Sequence, residues 1–157
     1  MTSSRRALED IDGEPASNGC CGKHDIYRCG ESGLKEVSEA TLEAITDAFN
    51  AHDLDAIMEF FADDCSFDMP RGPDPWGARF TGKADVRAAL ATRFKGLPDV
   101  HYGNGRHWLS GNLGVSEWLL TGTTLDGRKL RVQGCDHWEF RDGLVIRKDS
   151  YWKIVES

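Results

Sequence analysis

The segment GCDHWEFRDGLVIRKDSYW, residues 134–152, holds side chains able to move a proton. One set of alternating positions reads Gly134, Asp136, Trp138, Phe140, and the other reads Cys135, His137, Glu139. Alternation of period two marks a half-buried strand, so a carboxylate sits on the more apolar face. A two-residue turn at Asp126-Gly127 sets Glu117 opposite Asp136, because pairing runs outward from the turn at a constant index sum. A turn at Gly111-Asn112 likewise sets Arg106 opposite Glu117 and Trp108 opposite Val115. At Asp142-Gly143 two registers compete. A two-residue turn places Asp149 opposite Asp136; a three-residue loop with Gly143 left-handed places Lys148 there, and matched cross-strand chemistry favours the second.

The expected product is a row across four strands: Arg106, Glu117, Asp136, Lys148. Trp108, Leu119, Trp138 and Trp152 share its face, while His107, Trp118, Leu120 and Tyr151 fall on the other. One reading is a solvated ladder of ion pairs, worth little energetically. The other is a polar patch at the floor of an apolar cavity, where two apposed acids cannot both ionise cheaply unless Arg106 and Lys148 neutralise them. That arrangement suits general acid–base catalysis. Asp136 is then the acid or base, Glu117 perturbs it and shares its proton, and Arg106 and Lys148 balance charge or hold an oxyanion. Trp76, Trp108 and Trp138, with Phe67, Leu119 and Trp152, form the walls of a pocket for a small hydrophobic ligand.

These residues need elements to carry them. Residues 1–37 lack sustained periodicity and read as an irregular tail rich in Gly, Ser and charge; residues 38–157 read as one domain. Ser38 can cap a helix whose stripe is Leu42, Ile45, Phe49, and Asp53 can cap a short second helix with Leu54, Ile57, Met58 and Phe61 inward. CSFDM is a short strand ended by Pro70, and PRGPDPWGARF is a loop. GKADVRAALATRF is a third helix, and from Pro98 onward four strands form an antiparallel meander. Helices first and sheet second give an α+β class.

Composition sets limits. The 157 residues are 39% hydrophobic and 29% charged, as in a soluble globular domain. A net charge of −7 argues against a nucleic-acid partner. No apolar run reaches membrane-spanning length, and MTSSRRALED does not resemble a secretory signal, so the expected location is cytoplasmic. Five cysteines do not suggest a disulfide scaffold. In the tail, Cys20, Cys21, His24 and Cys29 supply soft ligands, but the adjacent pair suits a tetrahedral metal poorly, so redox-sensitive thiols are the preferred reading. Cys65 and Cys135 read as buried strand residues. No metal or other cofactor is expected.

FNAHDLDAIMEFFADDCSFDMP, the Pro/Gly loop, the third helix and the 134–152 strand pair together resemble the ketosteroid isomerase and SnoaL-like polyketide cyclase group of the nuclear transport factor 2-like superfamily. The resemblance spans residues 38–156. It implies a cone-shaped curved antiparallel sheet wrapped around three helices (a cystatin-like α+β roll), an enclosed apolar pocket, and a homodimer through the outer sheet face, where Trp118, Leu120 and Tyr151 would fit. It assigns Asp136 to the carboxyl group that donates to an oxyanion in the isomerases and acts as acid–base group in the cyclases. The isomerase base position holds Met69, with Asp68 one place earlier, and the helix-one tyrosine falls at about Ile45. Steroid isomerisation by the familiar route is therefore not implied, nor is the arginine–aspartate arrangement of limonene epoxide hydrolases. The expectation is cofactor-free isomerisation, cyclisation, hydration or dehydration of a hydrophobic carbonyl or hydroxyl compound, with a non-catalytic binding or dimerisation module as the alternative.

Overall fold

The structure, a computed structural model, describes residues 36–156. The tail cysteines and His24 lie outside the described residues. Helix α1 spans Glu39–Asn50, α2 Leu54–Glu59 and α3 Lys83–Gly96; the strands are β1 Phe61–Asp68, β2 Arg79–Thr81, β3 His101–Ser110, β4 Leu113–Thr123, β5 Lys129–Arg141 and β6 Leu144–Trp152. They form one six-stranded sheet in the order β2-β1-β6-β5-β4-β3. The α+β architecture and the long antiparallel meander are as expected. The sheet is mixed at one point, because β1 runs parallel to β6. Among the described residues no helix is long and apolar enough to cross a membrane.

Local signals explain the helices. Ser38 and Thr41 form a reciprocal capping box on α1, and the Asp53 carboxylate accepts from the backbone N–H groups of Asp55 and Ala56 at the start of α2. Leu42, Ile45 and Phe49 of α1, Ile57 and Met58 of α2, and Val86, Ala89 and Leu90 of α3 are buried against the sheet. Phe61, expected on the second helix, instead opens β1, where it pairs with Val145. β2, within the expected loop, pairs Phe80 with Phe67.

The turns decide which side chains face the helices. Asp142 (φ 53°) and Gly143 (φ 78°) are both left-handed, and Arg141 pairs with Leu144, which is a two-residue turn. At the β4–β5 connection, Gly127 (φ 85°) follows a turn closed by its N–H donating to the Thr124 carbonyl, and Thr124 N–H bonds Arg128 O at 2.9 Å. That is a three-residue loop with a left-handed glycine. The two connections thus exchange the loop types expected of them. The extra residue at 126–127 sets Ser116, not Glu117, opposite Asp136.

One position of register turns over every side chain of the hairpin relative to β5. The expected pairing of Arg106 with Glu117 and of Trp108 with Val115 holds. Yet Arg106, Trp108, Glu117 and Leu119 leave the helix-facing side, while Trp118 (5% exposed) and Leu120 (0%) enter the core and leave the outer face where a dimer contact was expected. On β6 a bulge at Ile146, between the pairs Glu139–Arg147 and Phe140–Val145, restores parity. Asp136 therefore faces Ser150 and Trp138 faces Lys148, correcting the expected Asp136–Lys148 pairing while keeping both charges on one side.

The opposite face has its own buried charge. Asp68 is fully buried and accepts from Arg79 at 2.6 and 2.8 Å and from Arg147 at 3.1 and 3.2 Å. Burial pushes its carboxyl up, but the two guanidinium groups outweigh that and hold it below the ordinary value. Arg147 also binds Glu139 and Asp149. Asp68 is thus engaged in joining β1, β2 and β6, consistent with its pointing away from the helices.

Gly134 sits opposite Trp118, and a Cβ there would collide with the indole ring and with the Tyr151 carbonyl. Gly134→Ala is expected to lower unfolding free energy by about 1–3 kcal/mol in urea titrations, the usual cost of overpacking. Gly96→Ala, where a Cβ meets nothing within 4 Å at the end of α3, is expected to be neutral or stabilising by up to about 1 kcal/mol. Equal effects of the two substitutions would contradict this packing.

Candidate functional site

Asp136 is 5% exposed on the helix-facing side of β5. Its Oδ2 accepts from the Trp118 indole N–H at 2.9 Å, and its Oδ1 accepts from Ser150 Oγ at 2.5 Å and from the Lys148 ammonium. Lys148, 4% exposed, also donates to Ser150 Oγ at 2.6 Å. The rings of Phe67, Trp138 and Phe49 surround its Nζ, with centroids at 4.9, 5.1 and 5.6 Å. Each such ring attracts a cation through its negative face. Burial nevertheless pushes the Lys148 amine below the ordinary lysine value, and the Asp136 charge opposes that shift.

Tyr102 lies beside this cluster, its ring edge-on to Trp118 at 5.2 Å and to Phe49 at 6.0 Å. Burial raises its phenol above the ordinary value, so it stays protonated and able to donate. Behind Trp138 the indole N–H donates to Ser116 Oγ at 3.0 Å, and Ser116 Oγ is paired with His107 Nδ1 at 2.9 Å. His107, expected to face outward, is carried here by the turned-over hairpin. Among the described residues every buried side-chain nitrogen and oxygen has a hydrogen-bond partner, which is what allows such a cluster to persist in a core.

Two interior cavities adjoin Asp136. One is lined by Phe67, Arg93, Tyr102, Lys148, Ser150 and Trp152 among others, the second by Ile45, Thr46, Phe49 and Trp138. Each is only about 10 Å³, room for a single water. A larger ligand needs side chains to move. Trp152 is the natural candidate, because it lines both the first cavity and a groove of about 400 Å³ on the outer side of the sheet. That groove is roomier but has no buried charge at its base, whereas the buried charged groups Asp136 and Lys148 line the interior.

Of the expected site residues, Asp136, Lys148, Phe67, Trp138 and Trp152 converge on the interior. Arg106 and Glu117 do not. They form an ion pair at 3.6 Å on the outer side, with Arg106 69% exposed, and Glu117 accepts from Gln133. Trp108 and Glu117 line the outer groove, Arg106 stacks on Trp108 at 5.0 Å, and Leu119 shares that face. The role assigned to the acidic pair rested on a facing that the three-residue loop at Gly127 removes. Trp76 is 51% exposed with Arg79 over its ring and lines neither cavity. Cys65 is buried as expected, whereas Cys135 is half-buried on the groove. Ser116, Trp118, Ser150, Tyr102 and Arg93 were not foreseen. A signal for the first two existed: the expected register set two carboxylates directly opposite, an arrangement sheets disfavour, and a shift of one position replaces that clash with Ser116 opposite Asp136.

A family model described as SnoaL-like domain matches residues 42–148. Among solved structures, a candidate polyketide cyclase of Xanthomonas campestris pv. campestris superposes with a TM-score of 0.65 at 21% identity, covering 73% of this chain and 89% of that one. An NTF2-like protein of unknown function from Burkholderia pseudomallei K96243 gives 0.66 at 20% identity, with coverage of 73% and 89%. TerC co-crystallised with polyporic acid gives 0.62 at 21% identity, with coverage of 71% and 88%. At these identities the likeness establishes the fold. No curated protein sequence matches the chain.

Removing one member of a buried ion pair strands the other, whereas replacing both costs far less. Asp136→Asn is expected to destabilise by about 3–5 kcal/mol. The double variant Asp136→Asn/Lys148→Met is expected to be more stable than that single variant by about 2 kcal/mol or more in urea unfolding. Additive losses would show that the two groups do not depend on each other.

Proposed function

The chain belongs to the SnoaL-like domain family, and from that premise we propose that it binds a small hydrophobic carbonyl or hydroxyl compound against Asp136 and catalyses proton transfer on it. The observation that carries this reading is a carboxylate, an ammonium and a protonated phenol gathered around one interior space. Asp136 takes a proton from the carbon next to a carbonyl. The Tyr102 hydroxyl and the Lys148 ammonium donate to the oxygen as it gains negative charge. Return of the proton from Asp136 to a different carbon completes an isomerisation; attack of the enolate carbon on a second carbonyl of the same molecule forms the new carbon–carbon bond, and the oxygen of that carbonyl takes the proton back from Asp136 to complete a cyclisation. Neither step requires a redox cofactor. The candidate polyketide cyclase among the structural neighbours is compatible with that substrate class.

The small cavities favour a second reading, in which the polar cluster fixes the core and the domain binds without chemistry. Exchange of the α-protons of 2-tetralone into deuterium oxide, followed by proton NMR, separates the two. The protein is expected to accelerate exchange, and Asp136→Asn, confirmed as folded by circular dichroism, to slow it by about 10²–10⁴-fold. Binding without exchange supports the second reading. The same rate in wild type and variant contradicts the role of Asp136.

A further inference from the structure

Trp152 closes β6 beside the cavity that holds Asp136, Lys148 and Ser150. Two arginines converge on its indole. The Arg71 guanidinium carbon lies 5.1 Å from the ring centroid and that of Arg93 lies 4.8 Å from it. Arg71 follows Pro70, a cavity-lining residue, and Arg93 lines the cavity itself. Among the described residues neither guanidinium has a carboxylate within ion-pairing distance, although seven guanidinium–carboxylate pairs are formed elsewhere. In a chain of net charge −7 the two form a local positive surplus beside the cavity. Lys148 adds a third cation, and Asp136 is the one carboxylate lining the interior among the described residues.

Two guanidinium groups gathered on one ring repel each other, and stacking on indole offsets that repulsion only in part. A planar oxyanion would relieve it. The guanidinium fork matches a carboxylate in two parallel hydrogen bonds, and a positive mouth with apolar walls concentrates anions from solution. The indole shows that the same two groups already accept an aromatic face. We infer that the ligand of this cavity is an aromatic anion of the carboxylate class, its charge held by Arg71 and Arg93 and its ring lying against or in place of the Trp152 indole. The inference rests on the reading above, that the interior is a ligand site, and specifies which ligands it takes.

The test compares 2-naphthoate with its near-isosteric neutral counterpart 2-naphthamide, titrated into the full chain. Tryptophan fluorescence and the nitrogen-15 spectrum of the indole N–H groups report binding. Naphthoate is expected to bind about tenfold or more tightly at low ionic strength, to shift the Trp152 indole resonance, and to lose part of its advantage as salt is raised. Arg71→Gln/Arg93→Gln is expected to bring the two affinities within about twofold of each other, while Arg71→Lys/Arg93→Lys keeps part of the preference. Equal affinities in the wild type would overturn the inference and leave the ligand site standing. A preference that survives in the glutamine variant would overturn it too, by placing the anion elsewhere. Failure of both probes to bind would overturn it together with the ligand-site reading.

Discussion

A buried ammonium must have its charge answered, and here the answer constrains much of the sheet. Taking Lys148 and Asp136 out of water costs several kcal/mol per ion, so the pair persists only because each remaining polar atom is also satisfied. Ser150 bridges the two charges, and Trp118 supplies the other carboxylate oxygen with a donor. For Trp118 to reach that oxygen, its ring must lie over Gly134, which no residue with a Cβ permits. For Lys148 to face inward after a two-residue turn, β6 must absorb one extra residue, and the bulge at Ile146 does so. One electrostatic requirement thus links a turn, a bulge, a glycine and an indole on three strands.

The same cluster is what the proposed chemistry draws on. A carboxylate held by three donors is rigid and already oriented, which lowers the reorganisation a proton transfer requires. The aromatic rings around Lys148 and its burial leave its charge less screened than it would be in water, with Asp136 as its partner. The interior is nearly filled, so a ligand larger than water enters only if lining side chains move, Trp152 among them. On the far side of the sheet the Asp68–Arg79–Arg147 network joins three strands, including the parallel pair that holds β1 to the meander. Buried charge here serves both faces, with different partners and different consequences.

Much of this was legible in the sequence, and the errors have a physical pattern. Alternation along 134–152 correctly set Asp136, Trp138 and Phe140 on the inner face, and parity placed Lys148 with them although its partner was misidentified. Capping signals at Ser38 and Asp53 held because they act within one turn of helix. What failed was the choice between two loop types that both accept Asp-Gly. A left-handed aspartate at Asp142 and a type-I turn before Gly127 are each permitted by the same dipeptide. The decision is made by the flanking strands, through long-range packing of Trp118 and Leu120 on β4, and no local signal reports it. β2 was illegible for a related reason: three residues in a proline-rich loop become a strand only because β1 offers an edge. Tyr102 and Arg93 join the site from outside the meander's central pair, so strand arithmetic on β5 and β6 could not reach them.

The most direct measurement is the titration of the Lys148 amine, followed by nitrogen-15 NMR of its Nζ in the wild type and in Asp136→Asn. This amine is expected to lose its proton below the ordinary lysine value of 10.5, and removal of the Asp136 charge is expected to lower its midpoint further. An amine that titrates at the ordinary value and is indifferent to Asp136→Asn would contradict it, because Lys148 would then be in water and unpaired.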